Sequence, residues 1–283
     1  PDQMSVLGRA EEIMQAIRRK SGELFVPELV DCVSELAKRE YFWLDAASTK
    51  PTEPLHDIIN LDLVELGPDG LQSLTELFSQ VIDFRSPFTA AHSAGVAACA
   101  EMLAKLAGFS GKEQQLIRMA GHLHDLGKLA VPEEILEKKG PLNTSEWNYI
   151  RTHTFFGFRA LQKIPLMETI NIWGSLHHER LDGSGYPFHL RGDEIPLGSR
   201  IMAVADVFTA RTEDRPYRQG MQLGEALAVL GGMAGDGAID GNIVESLTAN
   251  IGEVVDFRRG LVKQAYANYR RLFNQKTTAA EKD

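Results

Sequence analysis

The chain has 283 residues, with 30 Lys or Arg against 39 Asp or Glu, so its formal charge is −9 with eight histidines counted as neutral. Hydrophobic residues make up 43% and charged residues 24%, which is typical of a globular protein and excludes a largely disordered chain. The acidic balance argues against binding of a nucleic acid polymer, which requires a basic surface. Seven of the eight histidines lie between His92 and His189, and this cluster requires an explanation.

Three further features of the composition indicate the cellular setting. Two cysteines are too few for a disulfide framework or a thiolate metal site and are typical of a reducing compartment, so we expect a cytoplasmic protein. No run of about 18 apolar residues is present, so we expect no membrane span. The chain begins with Pro1 rather than Met, which indicates either processing or a fragment of a longer protein.

The first part of the chain is mostly helical by pattern. Apolar residues at three- and four-residue spacing predict helices over 4–20 and 26–44. The Pro-rich segment 48–54 predicts a linker. His56 lies just beyond these residues and has no evident partner. A short apolar stretch over 58–67 is compatible with a strand. We interpret residues 1–70 either as a helical extension packed on the following domain or as the remnant of a sensory domain.

The helical signals strengthen after Leu71. The pattern predicts helices over 69–84, 92–109, 113–128, 147–164, 197–213 and 253–275. Ser110 with Glu113 and Asn143 with Glu146 have the spacing of capping boxes, and Pro196 is suited to a helix start. These elements predict an all-α helical bundle. The last helix either packs on its own domain or mediates contact with another domain or a second copy, which would make a homodimer.

The strongest local pattern is Gly-His-Leu-His-Asp-Leu-Gly-Lys at 121–128. The adjacent pair His124 and Asp125 suits a hydrated divalent metal, because imidazole supplies a neutral nitrogen and a carboxylate can bridge two ions. On a helix Lys128 shares a face with His124. His122 points nearly opposite to His124, so we expect it to have a packing role.

The second pattern is His-His-Glu-Arg-Leu-Asp-Gly-Ser-Gly-Tyr-Pro at 177–187. His177 and His178 are about 100° apart on a helix, so both reach one site only where the helix ends. The glycines that follow predict such an end, with Asp182, Gly183 and Gly185 shaping a loop. His189 is interpreted as a loop residue.

These two motifs resemble the signatures of the bacterial HD-GYP domain, a branch of the HD phosphohydrolases that hydrolyses cyclic di-GMP. The resemblance continues in the expected order at 88–97, 152–161, 195–218 and 237–247 and covers about residues 70–250. It implies an HD-domain helical bundle. The corresponding domain division is 1–70 as a helical region of unknown role, 71–252 as the catalytic domain, and 253–283 as a C-terminal helix and tail.

The resemblance implies a set of metal ligands and a bridging role for one of them. The implied metal ligands are His92, His124, Asp125, His153, His177, His178 and Asp206. Asp125 would bridge two ions, one held by His92, His124 and Asp206 and the other by His153, His177 and His178. Nitrogen and oxygen ligands without thiolate favour iron or manganese, with zinc and nickel as alternatives. Two close cations lower the pKa of a bridging water, and the resulting hydroxide would attack the phosphate.

The resemblance also assigns substrate contacts. Lys128 matches a lysine that contacts the scissile phosphate, Tyr186 a substrate-facing tyrosine, and Arg215 and Arg218 basic residues that contact the dinucleotide. Arginine suits this role because its planar guanidinium matches a phosphate or a guanine edge.

At three positions the chain departs from the family pattern. Phe88 occupies the position of a glutamate that ligates a third metal in some members, so we predict a binuclear site. Thr209 stands where aspartate is usual, which alters hydrogen bonding around the site. Arg211 stands where an apolar residue is usual.

The implied function is metal-dependent hydrolysis of cyclic di-GMP to linear pGpG, with further hydrolysis to GMP also considered. One alternative is a signalling module that binds a cyclic dinucleotide or a protein with little or no turnover, and another is hydrolysis of a different cyclic dinucleotide or nucleotide. The partners implied are cyclic di-GMP and signalling proteins of the diguanylate cyclase type.

Overall fold

The computed structural model describes residues 3–37, 66–83, 92–138, 140–214 and 219–280. The chain divides into two units, Pro1–Glu65 and Leu66–Asp283. In the first unit, α1 spans Gln3–Arg19 and α2 spans Pro27–Leu36. The helix predicted over 26–44 thus ends earlier, with Ala37 as its C-cap. The predicted linker at 48–54, His56 and most of 58–67 lie outside the described residues, and the domain boundaries at 70 and 252 stay predictions.

The second unit contains ten α-helices among its described residues. They are α3 Pro68–Asp83, α4 His92–Leu106, α5 Gly111–Leu123, α6 Glu133–Leu136, α7 Thr144–Leu161, α8 Glu168–Ser175, α9 Leu197–Thr212, α10 Leu223–Gly235, α11 Gly241–Ala249 and α12 Ile251–Ala280. Short 3₁₀ helices span Leu126–Ala130 and Gly192–Glu194. The all-α prediction is confirmed, since the part of the chain that the structure describes contains no β-strand.

Two helix starts are fixed by the capping boxes that the sequence predicts. The Ser110 hydroxyl accepts a hydrogen bond from the Glu113 backbone N–H, and the Glu113 carboxylate accepts one from the Ser110 backbone N–H at 2.8 Å. Asn143 and Glu146 form the same reciprocal pair at the start of α7. Each pair satisfies two N–H groups that lack a partner within the helix.

Helix α4 lies at the centre of the second unit. It packs on α5, α9 and α12, and its small and aliphatic side chains, such as Val96, Cys99 and Leu103, are buried. Small residues allow the helix axes to approach closely. A Cβ atom on Gly121 of α5 would lie 2.4 Å from the Ala97 Cα atom of α4. This contact brings the first residue of α4 close to the residues that follow α5.

The C-terminal helix packs on its own domain over its first turns. Val254 is fully buried, and the Arg258 guanidinium lies 5.1 Å from the centre of the Phe208 ring and donates to the Thr212 hydroxyl. This contact agrees with the first of the two interpretations of the helix. A bilayer-spanning helix requires about 20 apolar residues, and the described part of the chain contains no helix that meets this requirement.

Candidate metal centre

The seven predicted metal ligands come together at one end of the bundle. They are supplied by the first residue of α4 (His92), the turn after α5 (His124 and Asp125), α7 (His153), the segment after α8 (His177 and His178) and α9 (Asp206). They form three overlapping groups, within each of which the potential ligand atoms all lie within 4.8 Å of one another. Their role as metal ligands stays a prediction. The seven side chains come from five separate elements and meet in one place.

The segment 121–128 is not one continuous helix, so this prediction was wrong. The predicted helix over 113–128 ends at Leu123, and a 3₁₀ helix begins at Leu126. The break occurs because Gly127 lies against the backbone of α7, where a Cβ atom would be 1.8 Å from the His153 carbonyl oxygen. The close approach places Lys128 one 3₁₀ turn after Asp125, and its ammonium group contacts the Asp125 carboxylate.

Three of the histidines are oriented by backbone carbonyl groups. Each donates its Nδ1–H to the carbonyl oxygen three residues earlier: His124 to Gly121 at 2.8 Å, His153 to Ile150 at 2.5 Å and His177 to Gly174 at 2.6 Å. This hydrogen bond fixes the tautomer in which Nε2 carries a lone pair. The Nε2 atoms of His153 and His177 are buried and make no hydrogen bond to protein. Buried acceptors without a donor fit a metal ion as their partner.

Asp125 lies between two of the groups. Its Oδ2 atom is 3.3 Å from His124 Nε2, and its Oδ1 atom is 3.4 Å from His153 Nε2. Burial alone would raise the pKa of this carboxyl group, but the charges of His124 and Lys128 outweigh burial and hold its pKa well below the usual value. Asp125 is therefore a carboxylate with one oxygen toward each group, as a bridging ligand requires.

The two outer groups have the composition implied by the family resemblance. One contains His153, His177 and His178, and the other contains His92, His124 and Asp206. The donor set is five imidazoles and two carboxylates without thiolate, which fits divalent first-row cations.

Burial keeps part of the histidine cluster neutral. It lowers the pKa of His178 to about 3 and also lowers the pKa values of His153 and His177. A neutral imidazole is the form that binds a metal. The rings of His177 and His178 lie 4.0 Å apart immediately after the end of α8, so the helix end that the glycines predict is confirmed.

The group formed by His92, His124 and Asp206 is more strongly charged. Burial opposes protonation of His92, but Glu213 and Asp206 outweigh it and raise the pKa of His92 to about 10. The Glu213 Oε2 atom is 2.8 Å from His92 Nδ1. Glu213 lies within the segment 195–218 that resembles the family, but it had no predicted role, because its contact with His92 joins residues 121 positions apart.

The segment after the paired histidines is held by a second residue without a predicted role. Glu179 is buried and accepts hydrogen bonds from the backbone N–H groups of Phe188 at 2.7 Å and Leu190 at 3.0 Å. This closes the loop and places the Tyr186 ring 4.9 Å from the His178 ring. The Arg151 guanidinium lies 4.8 Å from the centre of the Tyr186 ring. A buried acidic residue beside two histidines is the signal that identifies Glu179.

The remaining predicted residues divide into two sets. Phe88, Arg215 and Arg218 lie outside the described residues. His122 is buried and belongs to none of the three metal groups among the described residues, and His189 is an exposed loop residue with φ of 57°. Both therefore agree with the packing and loop roles expected.

The fold and the site together define a helical protein with a buried His/Asp cluster able to bind divalent metal. The chain also matches the HD domain family over residues 76–243. It belongs to that family, and the recognition made from the sequence motifs is confirmed at this level.

Three relatives illustrate the match. The chain is 36% identical over 241 residues to 3'3'-cGAMP-specific phosphodiesterase 1 of Vibrio cholerae, which covers 84% of this chain and 56% of that protein. It is 38% identical over 154 residues to the cyclic di-GMP phosphodiesterase response regulator RpfG of Xanthomonas campestris, covering 54% and 41%. A solved structure described as an HDG"Y"P protein from Bdellovibrio bacteriovorus has a TM-score of 0.52 at 16% identity, covering 66% of this chain and 65% of that chain, and supports the fold. The chain spans about half or less of the length of the curated relatives it matches.

Proposed function

We propose that this chain is a metal-dependent phosphodiesterase that hydrolyses a cyclic dinucleotide. The observation that carries the proposal is the arrangement of the seven side chains into two groups, with one Asp125 oxygen directed at each. The curated relatives named above are phosphodiesterases of cyclic dinucleotides, and they support the same class of substrate.

In this proposal, one divalent ion would be held by His92, His124 and Asp206 and the other by His153, His177 and His178, with Asp125 as a ligand available to both. Iron and manganese are the metals we propose for this donor set, with zinc and nickel as alternatives. Two such ions supply Lewis acidity and a water nucleophile at neutral pH. Because Phe88 cannot ligate, we propose two ions rather than three.

The residues of the chain bind and orient the substrate. The Lys128 ammonium group contacts the Asp125 carboxylate, and the Lys128 side chain is 30% exposed, so a substrate can reach it. Lys128 would contact the scissile phosphate and offset its charge. Tyr186, held against His178 and Arg151, would face a base or the ribose, and Arg215 and Arg218 would contact the dinucleotide.

The reaction adds one water across a phosphodiester. The P–O3' bond breaks, the water oxygen stays on phosphorus, and the ribose oxygen leaves with a proton as a 3'-hydroxyl. From cyclic di-GMP the product is linear pGpG, and a second hydrolysis gives GMP. A second candidate substrate is 3'3'-cGAMP, because relatives named as specific for it match 84% and 78% of this chain, against 54% for RpfG.

The test is turnover under anaerobic conditions with Mn²⁺ or Fe²⁺ loaded and metal content measured on the same sample. Cyclic di-GMP and 3'3'-cGAMP are supplied separately and then in competition, and products are resolved by chromatography. We expect hydrolysis that Asp125→Ala abolishes and that the control Asp256→Ala, an exposed residue of α12, does not change. Failure to hydrolyse either substrate with two metals bound would reject the proposal, and tight binding of either without hydrolysis would instead identify a binding module.

A further inference from the structure

Glu213 lies behind His92, on the side of the ring that faces away from the metal group. His92 Nε2 is 3.3 Å from Asp206 Oδ1, whereas His92 Nδ1 is 2.8 Å from Glu213 Oε2. The two ring nitrogens point to different edges of the imidazole, so the two carboxylates hold the ring from both sides. Glu213 therefore contacts the Nδ1 edge of the ring, and the Nε2 edge faces Asp206 and the metal group.

The imidazoles of His124, His153 and His177 each donate Nδ1–H to a backbone carbonyl three residues earlier. His92 is the first residue of α4, and a side chain from another helix supplies its acceptor instead. A backbone carbonyl is present whatever the side chain at its position. The acceptor for His92, in contrast, depends on the identity of a single residue distant in sequence.

The packing between α4 and α9 makes room for this contact. Asp206, Thr209 and Glu213 recur at the spacing of one helical face. A Cβ atom on Gly95 would lie 3.0 Å from Glu213 Oε1 and 3.0 Å from Thr209 Cγ2. Glycine at position 95 thus leaves space for the Glu213 carboxylate beside the first turn of α4.

Thr209 does not compete for the same role. It is fully buried, and its hydroxyl oxygen makes no hydrogen bond to protein. Its methyl group, rather than its hydroxyl, faces Gly95. The acceptor for His92 is consequently supplied one helical turn later, by the residue that caps the C-terminus of α9.

We propose that Glu213 is a positioning residue of the metal centre: it accepts the Nδ1–H hydrogen bond of His92 and holds Nε2 toward the group formed with His124 and Asp206. This inference rests on the proposed function, since it assumes that His92 binds metal. A carboxylate behind an imidazole raises its basicity and fixes its orientation, and loss of such a partner weakens metal binding about 10–100-fold.

The experiment measures Mn²⁺ affinity and stoichiometry by chelator competition and elemental analysis in the full chain. We expect Glu213→Ala to weaken the binding of one of the two Mn²⁺ ions about 10–100-fold and to change the affinity for the other ion by less than twofold. Glu213→Gln keeps an oxygen acceptor and should retain most of the affinity. Glu245→Ala, an exposed acidic residue of α11, is the matched control and should bind both ions as the wild type does.

The outcomes separate this inference from the function on which it rests. A folded Glu213→Ala variant with two ions at wild-type affinity overturns the role of Glu213 and leaves the proposed function standing. A wild-type protein that binds no divalent metal overturns both. A measurement without any variant guards against misfolding: the Zn²⁺-loaded wild type should show a His92 Nδ1–H proton that exchanges slowly in NMR spectra, and a rapidly exchanging proton there refutes the hydrogen bond.

Discussion

Two glycines face each other where the 3₁₀ helix after Asp125 meets α7, and they should respond oppositely to alanine. A Cβ atom on Gly127 would lie 1.8 Å from the His153 carbonyl oxygen and 2.7 Å from the Gly157 nitrogen. Both contacts are to backbone, so no side chain can rotate away. A Cβ atom on Gly157 would lie 3.5 Å from the Gly127 nitrogen and 4.0 Å from Ser175 Oγ, which are ordinary contacts.

The magnitude follows from these distances. In Gly127→Ala the two backbones must separate by about 1.2 Å to bring the new Cβ atom to 3.0 Å from the His153 oxygen. Overpacking of this kind costs about 1–3 kcal/mol of unfolding free energy. The displacement also moves Asp125 relative to His153, and a misplacement of about 1 Å reduces the rate of a positioned reaction about 100-fold. Gly157→Ala should stabilise the protein by about 0.5–1 kcal/mol, because alanine is favoured over glycine inside a helix.

The assay is urea unfolding of the metal-free proteins, together with metal content and turnover of the metal-loaded ones. We expect Gly127→Ala to be destabilised, to bind less metal and to lose activity, while Gly157→Ala equals or exceeds the wild type in stability and binds two ions. A Gly127→Ala protein with wild-type stability and metal content would refute the reasoning. It would show that the 3₁₀ helix does not depend on its close approach to α7.

Three further predictions concern single residues. Glu179→Ala should cost about 1–3 kcal/mol in urea unfolding, because two backbone N–H groups lose their acceptor. It should also raise KM for the cyclic dinucleotide more than Glu179→Gln does. An unchanged KM would contradict the role of Glu179 in holding the loop. In the metal-free protein, burial and then the charges of Arg118 and His124 lower the pKa of His122 from 6.5 to about 3. The unfolded chain therefore binds a proton that the folded chain does not, so this contribution to stability is present above pH 6.5 and is lost as the pH falls toward 3. Between pH 8 and pH 5.5, the loss of unfolding free energy should be about 1.4 kcal/mol smaller in His122→Leu than in the wild type. His189→Leu is the exposed control. An unchanged pH dependence in His122→Leu would contradict the prediction. Asn143→Ala should cost about 1 kcal/mol by loss of the cap without changing metal stoichiometry, and a change in stoichiometry would show that the start of α7 is coupled to the site.

The fold was predictable where local chemistry decides it. The capping boxes at Ser110 and Asn143 are contained within four residues, so the sequence alone identifies the helix starts. Helix ends were less predictable. The prediction continued α5 through Lys128, because periodicity does not register that the Gly127 backbone meets another helix.

The candidate site shows the same division. The histidines at 124, 177 and 178 were identifiable because motifs carry them, and the family resemblance supplied the rest of the set. Glu213 and Arg151 were not identifiable in this way. Their partners, His92 and Tyr186, are distant in sequence or belong to another element, and single-sequence spacing contains no record of such contacts.

The sequence by itself determined that the chain is helical, that histidine and aspartate rather than thiolate would dominate a metal site, and that the paired histidines follow a helix end. These properties depend on residue type and on neighbours within one or two turns. Only the tertiary structure decided which edge of each imidazole faces the centre, that the Asp125 oxygens point to different groups, and that a carboxylate from α9 lies behind His92. Those features depend on helices packed at the close distances that Gly95, Gly121 and Gly127 permit, and packing between distant segments is fixed only when the whole bundle forms.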